Sequence, residues 1–364
     1  MARRVALGLS ALAVALAACT ASASPSASPS TSSEPSVEPS APSLEPSVEP
    51  SRPPAGWRAL TVAGGPGPRS DHTWTVDPDV AVAYLFGGRP DEGSAALADL
   101  WAYDLATDTW SQLAGRPPAR FGHNAAWVPG VGLVVFAGQA GSTFYNDLWA
   151  YDPEGGTWSQ LAAGGAVPPA RYGSCAALGP DGRLWISHGF TREGGRFSDT
   201  RAYDFATASW VEETPVGDLP IVRCLHGCWW TATDRLALFA GQTDGVPAIG
   251  DRWELTVGPR PGTNVWAEIT PASGGPAARN LYAATRWEDG SLVFGGQGAD
   301  RGYLADTWLL TDDGGQSSVL AGVAGPSPRS GAELVADPER GRLLLFGGTI
   351  GGTTYADLWE LTVP

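Results

Sequence analysis

Residues 117–161 hold the pattern that decides the fold: Pro117-Pro118-Ala119-Arg120, an apolar run Leu133-Val134-Val135-Phe136 closing on Ala137-Gly138, then Asp147-Leu148-Trp149, then Trp158-Ser159-Gln160-Leu161. The apolar runs are too short for helices, rich in β-branched and aromatic residues, and bounded by Gly and Pro, so they read as strands. The same landmarks recur in order. The arginines are Arg69, Arg120, Arg171, Arg223, Arg279 and Arg329, at separations of 51, 51, 52, 56 and 50 residues. The runs close at Gly88, Gly138, Gly189, Gly241, Gly296 and Gly348. The third landmark is Asp99-Leu100-Trp101, Asp147-Leu148-Trp149, Asp251-Arg252-Trp253, Asp306-Thr307-Trp308 and Asp357-Leu358-Trp359, with Asp199-Thr200-Arg201 as the departure. Trp110, Trp158, Trp210 and Trp266 mark a fourth strand, and Ser317-Ser318-Val319-Leu320 stands where the fifth repeat should carry its Trp.

Six repeats of four strands predict six antiparallel sheets, each apolar on both faces and each needing a neighbour on either side. A closed ring satisfies all of them. The composition agrees: 48 Gly and 31 Pro among 364 residues demand frequent turns, and 16 Trp with 43% apolar residues supply a core. The sixth repeat stops after its third strand, at Trp359-Glu360-Leu361-Thr362-Val363-Pro364, while Trp57-Arg58-Ala59-Leu60 precedes the first repeat and matches a fourth strand. The N-terminal strand is therefore expected to complete the last blade and cover two open sheet edges.

These landmarks over residues 55–364, the Gly pair, the fourth-strand Trp and a period near 50, resemble the kelch family, including the propeller domain of galactose oxidase. The resemblance implies an all-β, six-bladed kelch-type β-propeller.

Residues 1–18 read as an export leader with Arg3 and Arg4 ahead of a short apolar run. Leu16-Ala17-Ala18-Cys19 resembles the lipobox of bacterial lipoproteins, which implies a lipid on Cys19 and a protein tethered on the outer side of the cytoplasmic membrane. Residues 19–54 form a Ser/Pro/Glu linker without aromatic residues, too polar to fold. Its 35 residues after Cys19 span roughly 30 Å if flexible and up to about 110 Å as polyproline II. All but one unit of the net charge of −15 belongs to the folded part, because residues 1–54 carry four Glu against three Arg. An acidic domain makes nucleic acid a poor partner.

With strands alternating in direction, the six Arg landmarks gather at one end of the ring. Two roles fit them: an anion clamp for a carboxylate, sulfate or phosphate, or ties to carbonyls or to an Asp of the next blade. As a ligand site the sequence nominates Arg69, Arg120, Arg171, Arg223, Arg279 and Arg329, together with His72, His123 and His226 three residues after three of them. The histidines complete no recognised metal spacing, so no metal and no cofactor are expected. The Asp landmarks read as turn residues accepting backbone N–H bonds. Arg192, Arg196 and Arg201 make a basic cluster in blade three, and Cys175 is expected to pair with Cys224 or Cys228.

The functional expectation is a monomeric binding or scaffold module for a protein or glycan ligand rather than an enzyme. The alternative is a carbohydrate-active enzyme, because the kelch resemblance extends to exported sialic acid mutarotases. Galactose oxidase chemistry fits less well, since its copper ligands and Tyr-Cys cross-link have no recognisable counterpart.

Overall fold

The computed structural model describes residues 55–363 apart from 116, 261 and 321–323; the leader, Cys19 and the linker lie outside the described residues. Six antiparallel sheets follow one another as six blades. Blade one is built from Thr73–Asp77, Val82–Phe86, Leu100–Asp104 and Thr109–Leu113, laid side by side from the ring's inside to its outside. Among the described residues the only helical element is a turn at Pro338–Arg340.

The core is divided rather than central. Six clusters of buried side chains each sit between two adjacent blades. The strand alternation makes this possible: along Val82–Phe86, Ala83 and Leu85 point into the seam with blade six, while Tyr84 and Phe86 point into the seam with blade two. Second strands therefore read as unbroken apolar runs, and Gly132–Phe136 is buried throughout. The outer-strand Trp of each blade reaches back to the preceding one. Trp110 packs on Phe346, Trp158 on Phe86 and Trp210 on Phe136, with ring centroids 5.5, 5.3 and 5.0 Å apart.

Blade six closes as the repeat pattern requires. Gly56–Leu60 pairs antiparallel with Leu358–Thr362, placing Trp57 opposite Leu361. Trp57 then does what the other outer-strand tryptophans do, packing on Phe294 of blade five at 5.2 Å. Gly56 lies opposite Thr362 and Leu60 opposite Leu358, so the chain enters the propeller at the end remote from the Arg landmarks. The closing seam is reinforced there: Arg342 of blade six bonds Asp337 and Glu360 in its own blade and the Asp108 carboxylate and Leu105 carbonyl of blade one.

Blade five shows how a missing Trp is accommodated. The register puts Gln316 opposite Leu310, where Tyr103 faces Trp110 in blade one, so Gln316 rather than residues 317–320 occupies the Trp position. Beside it the buried Arg252 of blade four reaches the carbonyls of Thr311 and Gly315.

Removing residues 55–62 uncovers the edge of Leu358–Thr362 and strips Trp57 from its seam. Calorimetry is expected to show a large fall in melting temperature for the whole ring, since no blade is stable without both neighbours. Arg342→Ala, which leaves Asp337 and Asp108 without their shared cation, is expected to cost about 3 kcal/mol or more by denaturant titration.

Candidate functional site

The six Arg landmarks do converge on one end of the ring, but they form its frame. Each side chain is 0–2% exposed. In every blade one guanidinium nitrogen, Nη1, donates to a landmark-turn carbonyl: Gly87, Ala137, His188, Ala240, Gly295 or Gly347, at 2.8–3.0 Å. Nη1 and Nη2 together clamp the Asp landmark of the same blade: Arg69 with Asp99, Arg120 with Asp147, Arg171 with Asp199, Arg223 with Asp251, Arg279 with Asp306, and Arg329 with Asp357. Nε turns back to the carbonyl two residues earlier, as in Arg171 to Pro169 at 3.1 Å. Four of five donors are thus engaged inside the blade, and aromatic rings cover Arg120, Arg171 and Arg329. The arginines therefore offer a ligand no open donor edge. The partner is the blade's own Asp, not that of the next blade.

The Asp landmarks accept chiefly side-chain donors, with a backbone N–H added at Asp99 and Asp306. Each takes the Arg fork, and Trp101, Trp149, Trp253, Trp308 and Trp359 add an indole N–H at 2.6–2.7 Å. In blade three Arg201 supplies the equivalent bond through Nε at 2.8 Å, which explains the Asp-x-Arg departure. Burial by itself pushes Asp99, Asp199 and Asp306 upward, but the arginines outweigh it and hold these carboxyls below the usual range. The second Gly of the turn is required by close approach: a Cβ on Gly88 would stand 2.7 Å from the Ser70 carbonyl.

The Arg backbone ties each blade to the one before it. Gly88 N–H donates to Arg120 O, Gly138 to Arg171, Gly189 to Arg223, Gly296 to Arg329, and Gly348 to Arg69. Two residues further on, the backbone closes a full circle. Asp71 N–H donates to Gly331 O, Gly122 to Asp71, Gly173 to Gly122, Leu225 to Gly173, Leu281 to Leu225 and Gly331 to Leu281, at 2.7–3.2 Å. All six of these residues have positive φ between 50 and 65°.

His72, His123 and His226 wedge between blades instead of meeting at the axis. His72 packs edge-on against Phe346, His123 packs against Phe86 and bonds Thr73 Oγ1, and His226 packs against His188. Among the described residues no group of three or more His, Cys, Asp or Glu is placed to hold a metal. Burial first, then neighbouring cationic groups, drives His72, His123 and His226 well below the ordinary imidazole value. His188 is lowered to about 3. Cys175 and Cys228 form a disulfide across the seam of blades three and four, Cα atoms 5.7 Å apart, and Cys224 is a buried free thiol.

Two other features sit on this frame. A channel of about 800 Å³ runs between the six inner strands, lined near the amide ring by Asp71, His72, Thr73, Asn124, Ser174 and Glu333. The mouth rim carries an aromatic run: Phe121 against Tyr172, Tyr172 against Phe190, and Phe144 against both Tyr172 and Phe190, at 5.9–6.4 Å. Arg89 lies over Phe121 and Arg196 over Phe190, and Arg196 also bonds Asp244 of blade four. The sequence reading missed Asp71 and Glu333. Alignment of the repeats on their Arg would have shown them, because they are lone acidic residues at positions that are Gly or Leu, and small or polar, in the other blades.

Fold and frame together define a six-bladed β-propeller in which an Arg-Asp clamp repeats in every blade. The KLHDC2/KLHL20/DRC7 Kelch-repeats domain model matches residues 55–241, and the chain belongs to the kelch-repeat family. Among curated relatives, a Leucine-zipper-like transcriptional regulator 1 homolog of Drosophila melanogaster is 27% identical over 80% of this chain and 25% of its own length. Multiple epidermal growth factor-like domains protein 8 of Mus musculus is 29% identical over 81% of this chain and 11% of its own. Rab9 effector protein with kelch motifs of Xenopus laevis is 41% identical over 25% of this chain and 26% of its own. The chain thus spans about a quarter or less of each relative's length in these matches. The solved structure of YjhT shares the fold, with a TM-score of 0.65 at 18% identity over 82% of this chain and 95% of that one.

Arg171→Ala removes the cation that satisfies Asp199 and the His188 carbonyl, and is expected to destabilise the domain by about 3–5 kcal/mol in denaturant titration. A second prediction concerns acid. The four buried histidines are neutral in the folded ring, whereas an unfolded imidazole titrates near 6.5. Unfolding therefore takes up protons below that pH. The stability they contribute is complete above about pH 6.5 and fades as pH falls, by up to about 1.4 kcal/mol per pH unit for each. Glu333 and Asp71, both raised by burial, act in the opposite sense, but four groups outweigh two. Melting temperature is expected to drop from pH 6.5 to 5, with a shallower slope in His123→Asn.

Proposed function

We propose that the protein is a binding module, held outside the cytoplasmic membrane by a lipid on Cys19, that takes a protein or glycan ligand on its mouth face. Kelch propellers are an architecture typical of protein-binding scaffolds. The observation that carries the reading is where apolar surface is left uncovered. Of the six exposed large hydrophobic side chains among the described residues, Val216, Leu219, Ile221 and Val246 lie on mouth-end connections entering or within blade four. Exposed apolar groups gathered on one face mark an interaction surface. Val246 shares a hairpin with Asp244, which bonds Arg196 of the blade-three loop that also carries the exposed Arg192. Aromatic and Arg side chains are the types enriched at interface cores.

The entry point of the chain supports a tethered display. The chain enters the propeller at Gly56, at the end remote from the Arg landmarks, which leaves the mouth face unobstructed by the first strand. The carbohydrate-active alternative drew on an Arg ring open to an acidic sugar; with those guanidiniums enclosed, the apolar rim favours a binding module.

A peptide and glycan array probed with residues 55–364 is expected to give hits that Val216→Asp with Ile221→Asp abolishes and that Val80→Asp, on an exposed hairpin at the opposite end, preserves. Equal loss in both would overturn the placement. Cys19→Ser is expected to release the full chain from membranes and abolish palmitate labelling; retained partitioning would overturn the anchor.

A further inference from the structure

The channel holds a carboxyl that the frame does not use. Glu333 lies on the inner strand of blade six, lines the cavity, and has neither hydrogen bond nor ion pair among the described residues. Its neighbour across the closing seam is Asp71, also lining the cavity and only 7% exposed. One Asp71 oxygen, Oδ2, accepts from Arg89 Nε at 2.8 Å. The other, Oδ1, lies against Gly331, two residues before Glu333, where an added Cβ would come within 2.6 Å of it. The Asp71 charge lies near enough to Glu333 to push its carboxyl upward, and both line the cavity, so both carboxyl groups serve the same part of the channel.

The surroundings supply no cation for the second carboxyl. Of the titratable groups lining the channel, His72, His123 and His226 are held neutral by burial and Tyr282 is held neutral as well. Arg286 is engaged by both oxygens of Asp312 at 2.7 Å, and Arg89 is engaged by Asp71. The rest of the wall mixes apolar side chains such as Val76, Leu178, Trp230 and Ala336 with the uncharged polar Thr73, Thr75, Asn124 and Ser174. An open channel of about 800 Å³ has room for an organic molecule, and carboxylate groups on its wall supply the countercharge for an organic cation.

We propose that the channel beside the amide ring is a binding site for a small organic ammonium compound, its charge held by Glu333 with Asp71 beside it. A bare ion is the poorer fit, because two carboxyl groups fall short of a coordination shell and no three-ligand cluster is present among the described residues. Binding is an exchange: Glu333, pushed up to about 8 by burial and by Asp71, carries a proton at pH 7 and gives it to solvent as the cation enters. The charge of the site changes by one on each count, so the exchange balances.

The test is calorimetric titration of the full chain with tetramethylammonium, whose charge does not vary with pH. One equivalent is expected to bind about tenfold more tightly at pH 9 than at pH 7, because deprotonation of a group at about 8 lies between them. Buffers of different ionisation heat are expected to report release of about one proton at pH 7. Glu333→Gln replaces a partly exposed carboxyl that has no partner, so it folds; it is expected to weaken binding at least about tenfold at pH 9 and to erase the pH dependence. Absence of saturable binding at pH 9, unchanged affinity in Glu333→Gln, or equal affinity for neopentanol, an uncharged molecule of similar size, would overturn the proposal.

Discussion

A guanidinium taken out of water must be paired, and in this propeller that requirement is met six times in the same way. Each buried Arg holds the turn after the second strand and the Asp that opens the third, so one side chain fixes three of a blade's four strands. Its backbone carries the constraint outward, since the same residue accepts an N–H from the preceding blade. The desolvation cost of such a charge is several kcal/mol, and only bidentate geometry with added carbonyl bonds offsets it. Partial clamps are therefore unfavourable, and the blade forms with all its parts or not at all. The amide circle through Asp71, Gly122, Gly173, Leu225, Leu281 and Gly331 is the geometric result of six identical constraints meeting at one end.

Repetition also governs how much the sequence reveals. Blade number, strand order and closure by Trp57-Arg58-Ala59-Leu60 are legible because each landmark is stated several times and any one lapse is outvoted. The role of the arginines was harder to see, although its signal was present. Arg and Asp landmarks of opposite charge lie 27–30 residues apart in every blade, and a constant offset between opposite charges in every repeat indicates a mutual pair rather than two sites. Asp71 and Glu333 belong to the opposite case. They occur once each, 262 positions apart, and only ring closure makes them neighbours.

The frame leaves other positions free to differ. Three residues after each Arg stand His72, His123, Ser174, His226, Tyr282 and Ala332, and each seam solves its local packing by a different means. His123 bonds Thr73, Ser174 exchanges bonds with Asn124, and Tyr282 accepts from Gly227 N–H and donates to Phe239 O. The seam of blades three and four has a covalent tie instead, with a 53-residue separation between Cys175 and Cys228. A cross-link over such a loop stabilises by about 4 kcal/mol in the chain-entropy model, comparable to one buried ion pair broken.

Blade six is closed by strand pairing, and its seam with blade one is reinforced by an ion-pair network. No peptide bond joins Leu358–Thr362 to its outer neighbour Gly56–Leu60, so strand pairing and Trp57 must hold the blade together. The same seam bears Glu333 without a partner, and a carboxyl whose proton is held up to about pH 8 in the folded ring is a standing cost to the folded state at pH 7. Both burdens are met at the far end, where Arg342 gathers Asp337, Glu360 and Asp108 into one network and Arg340 bonds the Ala106 carbonyl. A ring selected for stability alone would place a small or apolar residue at position 333, as blades four and five do with Gly227 and Ala283. A carboxyl held at such cost, opposite compensating interactions in the same seam, is the pattern expected where a local rule is broken for a site.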